Sequence, residues 1–146
     1  MPPWREVVTV ARGQCLCGSV RYVVRGQLRD AIICHCRDCR RWHGTSPAMV
    51  AADRAAVEIT GDELTWYETE DKPRRGFCRR CGASLFWDAT ERPSLTIAAG
   101  TLDDPTGTTV KAHIFTSHRQ DYETTLPDDG LPHHPYSAPP GEASVS

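Results

Sequence analysis

Long apolar runs are missing from this sequence: none exceeds a few residues, far short of the ~20 that a membrane-spanning helix needs. The opening MPPWREVVTVAR places Arg5 and Glu6 where a signal peptide would need continuous apolar chain, so a cytosolic address is expected. Basic excess is missing too. A formal net charge of −2 gives no electrostatic footprint for nucleic acid or an anionic membrane. No stretch carries a long helical apolar stripe, and there is neither an internal repeat nor an evident linker, so 146 residues read as one domain. The hydrophobic share is 39% and the mean hydropathy −0.47, a modest supply of core for which metal cross-links would be useful.

Cysteine, by contrast, is plentiful and clustered. Seven stand as Cys15-Leu-Cys17, Cys34-His-Cys36-Arg-Asp-Cys39 and Cys78-Arg-Arg-Cys81. An odd count prevents full disulfide pairing, and disulfides are rare in the cytosol. Iron–sulfur clusters use thiolates as well, but these spacings are not the usual ones for them. Two pairs and a triplet instead suit one closed tetrahedral zinc site and one three-thiolate site with an open fourth position. In an extended C-x-C the two side chains share a face, whereas C-x-x-C spans a turn. Both pairs are followed by glycine, Gly18 and Gly82, which suggests that they serve one site. The triplet superposes both spacings and can offer three corners from a single loop. Thiolates on two zinc ions would bring the net charge to about −5, further from a DNA binder.

The rest of the chain reads as β. Strands are expected at Val20–Val24, at Ala31–Ile33 running into the triplet, and at Met49–Ala52, Ser84–Trp87, Ser94–Ala99 and Val110–Phe115. Val57–Tyr67 carries a hairpin signal with Gly61-Asp62 at the turn. A short helix is expected at Asp38–His43 or near Asp103. The last 20 residues hold five of the 11 prolines and read as an extended tail, with His133 and His134 solvated or lying on the sheet.

Around the clusters, His35 should project away from its flanking thiols. His43, four residues beyond Cys39, could return on a helical turn as a fourth ligand. Asp38 is either a base or a turn residue and reads as the turn. Arg37, Arg40 and Arg41 near the triplet, and Arg74, Arg75, Arg79 and Arg80 near the last pair, offset thiolate charge. The first three are also candidates for gripping a substrate carboxylate. Trp42, Phe86 and Trp87 read as core rather than substrate wall.

These motifs resemble the glutathione-dependent formaldehyde-activating (Gfa-like) family over about Gln14 to Pro132. The resemblance lies in Cys15-Leu-Cys17-Gly18-Ser19-Val20-Arg21-Tyr22, in Cys34-His35-Cys36-Arg37-Asp38-Cys39-Arg40-Arg41 and in Cys78-Arg79-Arg80-Cys81-Gly82-Ala83-Ser84-Leu85-Phe86. His113-Ile-Phe and the later Asp128-Asp-Gly-Leu-Pro are similar as well. It implies a mainly β, zinc-stapled fold related to the Rab-interacting exchange-factor chaperones, with few short helices. It also implies two zinc ions per chain, a structural one on Cys15, Cys17, Cys78 and Cys81 and a catalytic one on Cys34, Cys36 and Cys39. The expected organisation is an N-terminal strand or arm at 1–13, the zinc domain at 14–126 and a Pro-rich tail at 127–146. The expected activity is that of a carbon–sulfur lyase on thiol–aldehyde adducts, with glutathione as co-substrate and formaldehyde as the aldehyde. A non-enzymatic zinc module that binds glutathione or a protein is the alternative. A centromere-protein-V-like nucleic-acid role is disfavoured by the acidic balance.

Overall fold

A computed structural model describes residues 10–123 and 128–145. It is mainly β. The strands are β1 (Val10–Gln14), β2 (Arg21–Arg25), β3 (Arg29–Cys34), β4 (Ala48–Asp53), β5 (Val57–Thr60), β6 (Leu64–Thr69), β7 (Lys72–Cys78), β8 (Ser84–Asp88), β9 (Ser94–Ala98) and β10 (Val110–Ile114). The α-helix, α1 (Arg37–His43), lies at the first of the two places where a short helix is expected; near Asp103 there is only a 3-10 turn, Ala99–Thr101. Most of the expected N-terminal arm and the expected boundary at 126/127 lie outside the described residues.

The strands form two sheets. One has the order β1-β2-β5, the other β10-β3-β4-β9-β8-β7-β6. Pairing is antiparallel except for β10 on β3. Alternation decides which side chains enter the core: Tyr22 and Val24 point inward from β2, and Val50, Ala52, Leu95, Ile97 and Phe86 meet them from the large sheet. Tyr22 and Phe86 pack edge to face at 5.5 Å between ring centroids, and the Tyr22 hydroxyl is hydrogen-bonded to Thr101 Oγ1 at 2.7 Å.

The Val57–Tyr67 hairpin does not form. β5 pairs with β2 in the small sheet, while β6 pairs with β7 in the large one. The turn at Gly61 carries the chain from one sheet to the other. Its φ of 115° is in a region closed to most side chains, and a Cβ there would collide with the Ser19 carbonyl oxygen. Local patterning identified both strands, but not that Gly61 packs on the Ser19 carbonyl just before β2, which leaves the two strands in different sheets. The strand Lys72–Cys78 was not foreseen, because Pro73, Arg74 and Arg75 mask its alternation.

Beyond Pro127 the tail lies along β10. The His113 N–H donates to the Pro132 carbonyl at 2.9 Å, the His134 N–H to the His113 carbonyl at 2.9 Å, and the Phe115 N–H to the Tyr136 carbonyl at 2.9 Å. The outer edge of the large sheet is thereby covered.

Asp88, at the end of β8, ties together β7 and the 3-10 turn Arg54–Ala56 that follows β4. Burial pushes its carboxyl upward, but hydrogen bonds from Arg54 (2.6 Å) and Arg74 (2.9 Å), with their charges, outweigh this and hold it below the usual range. Asp88→Asn is expected to cost roughly 1–2 kcal/mol at neutral pH, given partners that are partly solvated. A depressed folded-state pKa contributes stability that is complete above the unfolded value and lost as pH falls through the folded one. The gap in melting temperature between wild type and Asp88→Asn should therefore be full at about pH 6 and narrow below about pH 4. Thermal unfolding of the pair across this range checks it.

Candidate functional site

All seven cysteines are free thiols, and they gather in two groups. The sulfurs of Cys15, Cys17, Cys78 and Cys81 all lie within 4.8 Å of one another. Cys15 and Cys17 are 3.7 Å apart and Cys17 and Cys78 3.8 Å. A tetrahedron with metal–sulfur bonds of ~2.3 Å has edges of about 3.8 Å, so this donor set fits zinc. The two pairs are built alike. The Cys15 N–H donates to the Val20 carbonyl and the Cys78 N–H to the Ala83 carbonyl, each at 3.0 Å, and Gly18 and Gly82 both adopt φ of 80°. The Val20 N–H also donates to Cys15 Sγ at 3.3 Å, an interaction that favours a thiolate. Contacts with Ser19 pull the Cys17 thiol down to about 6.

The second group, Cys34, Cys36 and Cys39, stands where β3 ends and α1 begins. Cys36 caps the helix: its Sγ accepts the Cys39 N–H at 3.3 Å. Hydrogen bonds from Cys34 and Cys39, aided by the Arg75 charge, push the Cys36 thiol well below its ordinary value. The same bond to Cys36 pushes Cys34 upward, together with burial. Arg75 donates to Cys39 Sγ at 3.8 Å. No imidazole or carboxylate among the described residues joins these three sulfurs, His43 included. Burial and the Arg75 charge push His43 down to about 4, so it is a neutral imidazole at pH 7.

This group opens on a cavity of about 950 Å³. Its floor is the face of the large sheet turned away from the core. The register makes one continuous row across six strands, Arg29–Ala51–Thr96–Trp87–Arg75–Tyr67. All six line the cavity. Trp42 and Trp87 are thus wall residues, while Phe86 alone of the three aromatics is core. Of the candidate carboxylate-binding arginines, Arg41 reaches the cavity; Arg37 is exposed and Arg40 half-buried, both outside it. Asp38 is on the wall, paired with Lys72 Nζ at 2.8 Å. Arg29 and Arg92 are cavity cations that sequence reasoning did not connect with substrate, and Arg75 joins them there.

The sequence model of the family described as glutathione-dependent formaldehyde-activating enzyme matches residues 10–118. The chain belongs to this Gfa family. No curated protein matches it. A crystal structure of a Rhodobacter sphaeroides protein shares the fold, with a TM-score of 0.55 and 20% identity over 84% of this chain and 98% of the other. The Gfa assignment and the two thiol groups together support a link to formaldehyde activation with metal-binding cysteines. Among the described residues, no helix is long and apolar enough to cross a membrane.

Behind the Gfa triplet runs a polar chain that starts at the buried His35 and His113 and ends at the surface. His35 faces away from the flanking thiols and is hydrogen-bonded through Nδ1 to Ser46 Oγ (3.1 Å) and through Nε2 to His113 Nδ1 (3.0 Å). His113 Nε2 in turn meets Asp129 Oδ2 at 2.7 Å, and His133 Nε2 meets Asp129 Oδ1 at 3.1 Å. These partners hold the Asp129 carboxyl below the usual carboxylate range, the His113 hydrogen bond most of all. The His-Ile-Phe and Asp-Gly-Leu-Pro motifs of the sequence were the signal; their meeting was not legible because 16 residues separate them.

Replacing Cys81 by Ser removes one of four sulfurs that join β1 to β7. Structural zinc can supply ~10 kcal/mol of apparent folding free energy. The variant is expected to lose one zinc equivalent and to unfold or aggregate. Metal content with thermal denaturation checks this, and a well-folded variant with undiminished zinc would contradict it.

Proposed function

We propose that this protein is a zinc-dependent carbon–sulfur lyase that forms or cleaves thiol–aldehyde adducts, with S-hydroxymethylglutathione as the reference substrate. The observation that carries the proposal is a three-sulfur group, without a fourth protein ligand among the described residues, facing a cavity large enough for a small peptide thiol. Cys15, Cys17, Cys78 and Cys81 would hold a structural zinc, and Cys34, Cys36 and Cys39 a catalytic one. Zinc on the triplet would supply Lewis acidity, which favours thiolate over thiol or polarises a carbonyl.

The chain's own residues set the rest. Cys36, held as the readiest thiolate by its neighbours and Arg75, would keep the donor set anionic at neutral pH. Arg75 would orient Cys39 and offset the charge gathered there. The rings of Trp42 and Trp87 would flank the substrate and exclude water. Of Asp38, His35 and His43, the groups around the triplet that could move a proton, only Asp38 lies on the cavity wall, where it is paired with Lys72. His35 and His43 lie off the wall and would act on the loop rather than on the substrate.

A three-thiolate site should release its ion before a four-thiolate site does. Mild chelation is therefore expected to remove about one equivalent first, leaving circular dichroism largely intact while adduct cleavage is lost. Cys36→Ala should reproduce that state. Zinc stoichiometry, circular dichroism and cleavage measured along one chelator titration check it. Full activity after the first ion leaves, or loss of both ions with global unfolding, would overturn the proposal.

A further inference from the structure

Arg29 is the most buried cation of the cavity, with 8% of its surface exposed. Its guanidinium has backbone carbonyls for company: one nitrogen donates to the Asp30 carbonyl at 2.8 Å and lies 3.5 Å from that of Met49. Its Nε is buried without any hydrogen-bond partner. No carboxylate among the described residues comes within ion-pair distance. The adjacent Asp30 turns its carboxylate to the Thr109 N–H (3.4 Å) and the Thr108 hydroxyl (3.3 Å) instead. A buried guanidinium without a counter-charge is costly, and a planar fork with a free edge matches a carboxylate. A register shift between Arg29 and Ile32 places Arg29 beside Ala51, in the same cavity-facing row as Arg75.

We propose that Arg29 is the anchor for a substrate carboxylate at the end of the cavity remote from the triplet. Five residue steps along β3 take Arg29 to Cys34, roughly 16 Å at 3.3 Å per step. The ligand is therefore a thiol whose carboxylate is several bonds from its sulfur, as in a small peptide, rather than a simple mercaptan. This rests on the lyase reading only for the sulfur end; the carboxylate end stands on Arg29 alone.

Calorimetric titration of the zinc-loaded protein with three probes separates the two. S-methylglutathione has the carboxylates and no free thiol, its dimethyl ester has neither, and 2-mercaptoethanol has the thiol alone. The acid should bind wild type, and esterification or Arg29→Gln should each weaken it on the order of ten- to a hundredfold. Arg29→Lys, which keeps the charge but not the fork, should recover part of the loss. 2-Mercaptoethanol should bind wild type and Arg29→Gln alike. Equal affinity of acid and ester for wild type, absence of acid binding at millimolar concentration, or unchanged acid binding in Arg29→Gln would overturn the anchor. If 2-mercaptoethanol fails to bind while acid and ester still differ, the lyase reading falls and the carboxylate anchor stands.

Discussion

The convergence of four sulfurs from the two sheets is the constraint on which this structure depends. Cys15 and Cys17 close the strand β1 of the small sheet, and Cys78 and Cys81 close β7 of the large one. A chain with 39% hydrophobic residues has limited apolar surface with which to hold two sheets face to face. A metal held by these four sulfurs would cross-link segments 61 residues apart and leave the opposite face of the large sheet free for chemistry.

That division of labour between faces explains the placement of the site. One face of β4, β9 and β8 presents Val50, Ile97 and Phe86 to the core, and the other presents Ala51, Thr96 and Trp87 to the cavity. β3 then delivers Cys34 at its end, and α1 follows at once to bring Cys36 and Cys39 around it. The triplet's spacing thus matches a strand-to-helix corner at the rim of a sheet, where side chains from one loop can converge without burying loop backbone.

What could be read in the sequence was local. Both cysteine pairs, the triplet, the helix at its shoulder and most strands follow from spacing and alternation within about ten residues. Parity alone placed His35 on the side away from the thiols, where it lies. Other features depend on contacts between distant segments. Gly61 read as a hairpin turn because nothing nearby announces the Ser19 carbonyl that stands against it. Arg29 sits at odd spacing from Ile32 and Cys34, and only the irregular register of β3 brings it to their face. Arg37 and Arg40 seemed better placed for substrate through proximity in sequence, yet the turn of α1 carries them off the cavity.

The cavity also has a wall of a different kind. Ser137, Ala138 and Ala143 line it, and they come from the tail that rests on β10 through a handful of backbone hydrogen bonds. Those bonds and the Asp129 carboxylate on His113 hold the tail without using the side chains at 137, 138 and 143. Substitutions there can recut the chamber while cysteines, sheets and core remain as they are. Within one inherited scaffold, ligand preference is thus free to drift at the margin while the two thiol groups remain under strict geometric demand.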